Sequence, residues 1–172
     1  MNIDKIGYGE NPEKVKALIE IPYGSNVKYE IDKDSGAVVV DRVMHSAMFY
    51  PANYGFVPNT LAKDGDPADI LVLTEFPMVA GSVVNCRLIG VLVMEDEAGM
   101  DEKLLAVPVN KVDPTFAEIN SIEDLPKAKL DKIKNFFETY KMLEPNKWVK
   151  VKDYKGKEEA TSILEDAINS FK

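Results

Sequence analysis

The sequence has one histidine and one cysteine in 172 residues, and those two shortages remove most of the familiar site chemistries. A single imidazole cannot build a zinc cluster, and there is no HExxH or CxxC pair to help it. A Ser-His-Asp triad would have to use His45, and no GxSxG turn accompanies it. His45 is therefore expected to be structural or at the surface. Cys86 cannot form an internal disulfide, and its apolar setting, VVNCRLIGVLV, predicts a buried, inert thiol. No apolar run approaches the ~18 residues that a bilayer demands. The opening MNIDKIGYGE carries acids and no apolar core, so no export signal is expected, and the single cysteine then fits a cytoplasmic setting. Excess positive charge is also missing: 21 basic against 29 acidic residues leave a net charge of −8. That balance argues against nucleic acid as a partner. It leaves room for a small polyanion in a local basic pocket. Repeats, low-complexity stretches and Gly/Ser linkers are absent, so residues 1–172 are expected to form a single domain. Any chemistry must come from carboxylates, lysines, arginines or tyrosines.

What is present is a series of short strand signals. NVKYEID alternates, with Val27, Tyr29 and Ile31 facing one way and Lys28, Glu30 and Asp32 the other. DKDSG reads as a turn and AVVVDRVM as the returning arm of a hairpin. NPEKVKALIEIP is ambiguous, with a possible strand at its end. FYPANYGFVPN is too irregular for a long element. DILVLTEF reads as a buried strand, SVVNCRLIGVLVMED as a long or bent strand apolar on both faces, EDEAGMDEK as a polar loop, and LLAVPVN as a further strand. Strands this short, separated by turns, suggest a small closed barrel, which leaves no sheet edges. The last third is helical in pattern. In LPKAKLDKIKNFFETYKML, residues Leu130, Ile133, Phe137 and Tyr140 share a face, with Pro126 suited to the first turn. EEATSILEDAINSFK places Ile163, Leu164, Ala167, Ile168 and Phe171 on or near one face. Helices laid on a barrel would explain the two-faced strands, and the class is α+β.

Two acid clusters stand out, each at a strand end, where a barrel would bring both to one mouth. Asp64, Asp66 and Asp69 fall in DGDPAD, and Asp96, Glu97, Asp101 and Glu102 in EDEAGMDEK. In the first, Gly65 frees the backbone and Pro67 restrains it, so the turn looks shaped. Burying such carboxylates unpaired would cost several kcal/mol, and a cation is the usual remedy. Oxygen-only ligands select hard ions, so Mg²⁺ or Mn²⁺ is expected. An EF-hand fails: loop position 5, a ligand position, would be Ala68, its glycine position would be Asp69, and ILVL follows. Lys28, Arg42, Lys103, Lys141, Tyr50, Tyr54 and Tyr140 add charge clamps and hydroxyl donors of the kind a phosphate polyanion needs. Acids for metals beside bases for phosphate is the make-up of a metal-dependent phosphoryl-transfer site.

With IEIP, KYEID, DRVM, FYPANYGFVPNTL, DGDPAD, EDEAGMDEKLLAVP and FFETYK…KWVKV in this order and spacing, the chain from about Ile19 to Val151 resembles the soluble family I inorganic pyrophosphatases of compact prokaryotic type. The resemblance implies a five-stranded OB-like barrel with additional short strands and two main α-helices packed outside. It implies Mg²⁺-dependent hydrolysis of pyrophosphate to two phosphates, with Mn²⁺ or another divalent ion as a possible substitute, and a homohexamer. By position, Asp64, Asp69 and Asp101 would be the core metal ligands. Asp96 with Asp101 would hold the metal that arrives with substrate, with Glu30 helping. Asp66 matches the general base, and Lys28, Arg42, Tyr54, Lys103, Tyr140 and Lys141 match the phosphate binders. Glu20, Tyr50 and Glu97 match charged or polar positions behind these. Ala68 departs from the family's larger aliphatic residue, and Phe56 from a frequent tyrosine, without touching a ligand. The rival readings are a phosphatase or nucleotide pyrophosphohydrolase, an OB module for single strands, and a cation buffer. The first lacks an aromatic base platform, the second a basic groove, and the third has no need of Arg42, Lys103 and Lys141 beside the acids.

Overall fold

The computed structural model describes residues 2–172. Ten strands and two helices follow in the order β1 (Gly9–Asn11), β2 (Lys14–Ile21), β3 (Val27–Ile31), β4 (Val38–Val43), β5 (Asn53–Phe56), β6 (Asp69–Val72), β7 (Val83–Asp96), β8 (Gly99–Met100), β9 (Lys103–Pro108), α1 (Lys127–Thr139), β10 (Val149–Lys155) and α2 (Lys157–Phe171). Their pairings run in a ring. β2 pairs antiparallel with β5, β5 with β6, β6 parallel with β9, β9 antiparallel with β7, and β7 antiparallel with β2 again. β1, β8 and β10 extend this sheet, while β3 and β4 form a separate hairpin.

The two-faced strands owe their apolar runs to burial on both sides. In β6, Leu71 joins the core cluster around Phe136 and Phe137 of α1, while Ile70 and Val72 join the one around Leu164 and Ile168 of α2. β9 divides likewise, Leu105 and Val107 against Leu104 and Ala106. In β7 a bulge between Leu88 and Gly90 shifts the alternation by one residue. Cys86 and Leu88 share the α2 cluster with Val91, while Leu92 and Met94 join the α1 cluster. A bulge of this kind bends a long strand enough to serve two neighbours. β5 meets β2 so closely that a Cβ on Gly55 would lie 2.0 Å from the Leu18 carbonyl oxygen, which only glycine tolerates.

FYPANYGFVPN holds no long element, as expected, but its four-residue β5 is central to the ring. EDEAGMDEK, expected to be a polar loop, instead holds the end of β7, a two-residue turn, β8 and the start of β9, with Asp96 and Asp101 each only 9% exposed. β10 is not anticipated from the sequence, because its alternation is short and broken by a bulge between Val151 and Asp153. Of the residues expected on or near one face of α2, Leu164, Ala167 and Ile168 are buried, and Phe171 at the helix end is 48% exposed. His45 is exposed, and Cys86 is fully buried with its thiol pushed upward by burial.

Candidate active site

Strand ends deliver the charged side chains to one place. β6 and β9 run parallel with Ile70 opposite Leu104, so Asp69 and Lys103, one residue earlier on each, stand side by side. Asp96 closes β7, and Asp101 lies two residues before Lys103, held by its N–H to the Met94 carbonyl at 3.0 Å. In the hairpin, Lys28 pairs in register with Arg42. Tyr140 caps the C-terminus of α1 and places Lys141 after it. These groups line an open cleft of about 300 Å³ together with Tyr50, Tyr54, Asp64, Asp66 and Glu97. An adjoining cleft of about 460 Å³ shares Lys28, Tyr54, Asp64, Asp66 and Asp69 with it and adds Glu20 and Glu30. All fifteen expected site residues therefore line one of two joined clefts, although they come from segments spread between residues 20 and 141.

The carboxylate turn is shaped by its own backbone. Gly65 takes φ +92°, a conformation that suits glycine. Its N–H bonds the Ala62 carbonyl at 3.1 Å, and Ala62 N–H bonds the Asp66 carbonyl at 2.7 Å. Asp64 Oδ1 accepts from Asp66 N–H at 3.0 Å. Asp66 itself points outward, with 74% of its side chain exposed and only Lys33, 3.3 Å away, as a charged partner.

Each cation has an acid beside it. Lys103 contacts Asp101 and lies 2.5 Å from Asp69. Lys141 lies 2.8 Å from Asp96, and Lys28 contacts Glu30. Arg42 reaches Asp41 at 2.6 Å and Glu144 at 2.9 Å. Lys147 contacts Glu97. Asp41, Glu144 and Lys147 are absent from the sequence expectations. Asp41 adjoins Arg42 and was within reach. Glu144 and Lys147 sit in an ordinary-looking loop, and only folding brings them to the cleft.

Burial opposes the charge on Lys103, but Asp69 and Asp101 outweigh it and hold the ammonium protonated. Burial likewise opposes the charge on Asp96, and the bonds from Lys141 and from Ala98 N–H still draw its carboxyl below the usual range. Burial raises Asp64, and it pushes Glu20 up to about 7. Glu20 accepts from Ile31 N–H at 2.9 Å, which opposes the rise. Burial also raises the phenols of Tyr50, Tyr54 and Tyr140, so they remain protonated hydrogen-bond donors.

The donor set suits a hard divalent ion. It holds carboxylate oxygens and neither imidazole nor thiol. Among the described residues, no three His, Cys, Asp or Glu side chains converge as a cation shell. Lys103 instead lies between Asp69 and Asp101 and contacts both. Seven carboxylates face five cationic side chains in the first cleft, and the surplus is negative.

A family model described as inorganic pyrophosphatase matches residues 17–172. The inorganic pyrophosphatase of Campylobacter jejuni is 67% identical over 172 residues, covering 100% of both chains. Among solved structures, the inorganic pyrophosphatase of Helicobacter pylori superposes with a TM-score of 0.94 at 58% identity, covering 97% of this chain and 98% of that one. That of Thermus thermophilus gives a TM-score of 0.95 at 43% identity, covering 99% of each.

Proposed function

The chain belongs to the inorganic pyrophosphatase family, and on that ground we propose that it hydrolyses inorganic pyrophosphate to two phosphates with Mg²⁺. The observation that supports this reading is the joined pair of clefts, which gathers acids and cations side by side from distant segments. Asp64, Asp69 and Asp101 would hold the resident metal. Asp96 with Asp101, assisted by Glu30, would hold the metal that comes with substrate. When bound, such ions neutralise phosphate charge and bring the pKa of a water toward neutrality. The rest falls to side chains. Asp66 would orient a water and accept its proton. Its exposure and its single exposed partner, Lys33, leave it free to do so. Lys28, Arg42 and Lys141 offset the charge on the transferring and leaving phosphates. Lys103, with Tyr54 and Tyr140 as neutral donors, completes the clamp. Each cation must then exchange its carboxylate partner for phosphate oxygen.

The same reading takes the ring of strands as an OB-like barrel and the enzyme as cytoplasmic and homohexameric. No helix among the described residues is long and apolar enough to cross a membrane. Phe76 and Val79, 74% and 78% exposed, support a subunit contact on the loop after β6, and sedimentation of the purified chain tests it. The activity is tested by phosphate release from pyrophosphate with and without Mg²⁺, with ATP and a phosphomonoester as controls. Release from pyrophosphate that depends on Mg²⁺ is expected. Release from the monoester but not from pyrophosphate overturns the proposal.

A further inference from the structure

Beneath the carboxylate turn, a hydroxyl has entered the β5–β6 ladder. The register Phe56 opposite Asp69 continues to Val57 opposite Ala68. A regular antiparallel pair at this point would exchange two N–H···O bonds. One is made, from Val57 N–H to the Ala68 carbonyl at 2.9 Å. The other is replaced by the side chain of Thr60. Its Oγ1 accepts from Ala68 N–H at 2.9 Å and donates to the Val57 carbonyl at 2.6 Å. Thr60 is 1% exposed, so no water can readily take over this bridge. Asn59, just before it, holds φ +57°, and Leu61, just after it, donates to the Ala167 carbonyl of α2 at 2.9 Å. The base of the loop is therefore fixed on both sides of the threonine.

We propose that Thr60 is a positioning residue for the metal-binding and water-activating turn, its bridge between Val57 and Ala68 setting the distance from Asp64 and Asp66 to Asp69. Asp69 follows Ala68 directly and must meet Lys103 and Asp101 across β9. Asp64 and Asp66 lie on the loop that the hydroxyl wedges open. Without the bridge, Ala68 N–H can close directly on the Val57 carbonyl. That draws the loop ends together and moves Asp69 relative to the other two. Misplacement on the scale of an ångström is enough to impair catalysis. The inference rests on the pyrophosphatase reading above, and its test separates the two.

Thr60→Val keeps the shape and removes both bonds, Thr60→Ala removes them without the second methyl, and Thr60→Ser restores the hydroxyl. Each is checked for folding by circular dichroism and thermal melting, then titrated with Mn²⁺ by calorimetry in the absence of substrate. Thr60→Val and Thr60→Ala are expected to bind Mn²⁺ about tenfold or more weakly, and Thr60→Ser to return within about threefold of the wild type. At saturating Mg²⁺, kcat for pyrophosphate should fall more than KM changes, because Lys28, Arg42 and Lys141 lie on other elements. Wild-type Mn²⁺ affinity and kcat in either folded variant overturn the proposal, as does a Thr60→Ser variant as weak as Thr60→Val. A wild-type chain that releases no phosphate from pyrophosphate sinks the activity, while the Mn²⁺ titration still decides the role of Thr60.

Discussion

Lys103 and Asp69 begin neighbouring parallel strands in register, and the lysine ammonium lies 2.5 Å from Asp69 Oδ2 with only 3% of the lysine side chain exposed. A second carboxylate, Asp101, touches the same ammonium. Removing the cation leaves two acids facing one another in a poorly solvated place. Lys103→Met is expected to destabilise the ion-free chain by about 3 kcal/mol or more, measured by urea unfolding in the presence of a chelator. Adding Mg²⁺ should recover part of the loss, since an ion among the acids replaces the missing charge. An unchanged unfolding midpoint would show that the pair contributes nothing to the fold.

Asp66 presents the opposite case. Its exposed side chain has one charged partner, Lys33 at 3.3 Å, itself 65% exposed. Asp66→Asn should shift stability by no more than about 0.5 kcal/mol and leave most divalent-ion binding intact. Turnover at neutral pH should fall by about a hundredfold or more, read as phosphate release at saturating pyrophosphate. Near-wild-type turnover would remove Asp66 as the base.

Glu144 Oε1 accepts from Arg42 Nε at 3.1 Å and lies 2.9 Å from Arg42 Nη2, and only 9% of the glutamate side chain is exposed. If Arg42 clamps phosphate as proposed, Glu144 would compete for the same guanidinium. Glu144→Gln should lower KM for pyrophosphate by about threefold, an effect the size of a modest charge-assisted bond, with Mn²⁺ affinity unchanged. A raised KM would show instead that Glu144 aims Arg42 at the cleft.

Glu20 supplies a pH dependence. Burial holds its folded pKa at about 7 against an ordinary 4.5, with Asp69 and Glu30 adding to the rise. The folded state binds this proton more tightly than the unfolded chain does. Its contribution to stability is therefore present in full below about 4.5 and is lost as the pH rises through 7. Glu20→Gln keeps an acceptor for Ile31 N–H and cannot titrate. It should remove roughly 3 kcal/mol of the decline in stability between pH 5 and 8, compared with wild type in urea melts without divalent ions. Parallel curves for the two proteins would assign the decline to other groups.

Much of the site was legible because its key residues sit in short, shaped segments. DGDPAD carries three acids around a glycine and a proline, and the apolar run after it marks where the turn meets the body of the protein. Lys28 and Glu30 share a strand face by simple alternation, and they do contact each other. Arg42 with Glu144 could not be read in this way. The two are separated by 102 positions, and neither segment carries a pattern that points to the other. Thr60 was equally hidden: a threonine beside Asn59 looks like ordinary turn material until its hydroxyl is found inside the ladder. The exposure of Phe171 could not be read for a related reason. Helical periodicity gives the apolar face of α2 but not how far that face extends over the sheet.

The sequence alone determined the local chemistry: which residue types are available, which strands are buried on both faces, where turns must fall, and that a hard cation and a phosphate polyanion suit the acids and bases present. These follow from short-range rules of periodicity, backbone freedom and ligand preference. The tertiary structure decided who meets whom. The parallel pairing of β6 with β9 sets Lys103 against Asp69, the bulge in β7 shares its side chains between two cores, and the loop after α1 carries Glu144 to Arg42. Such contacts depend on register and crossing geometry between distant segments, which one-dimensional spacing does not encode.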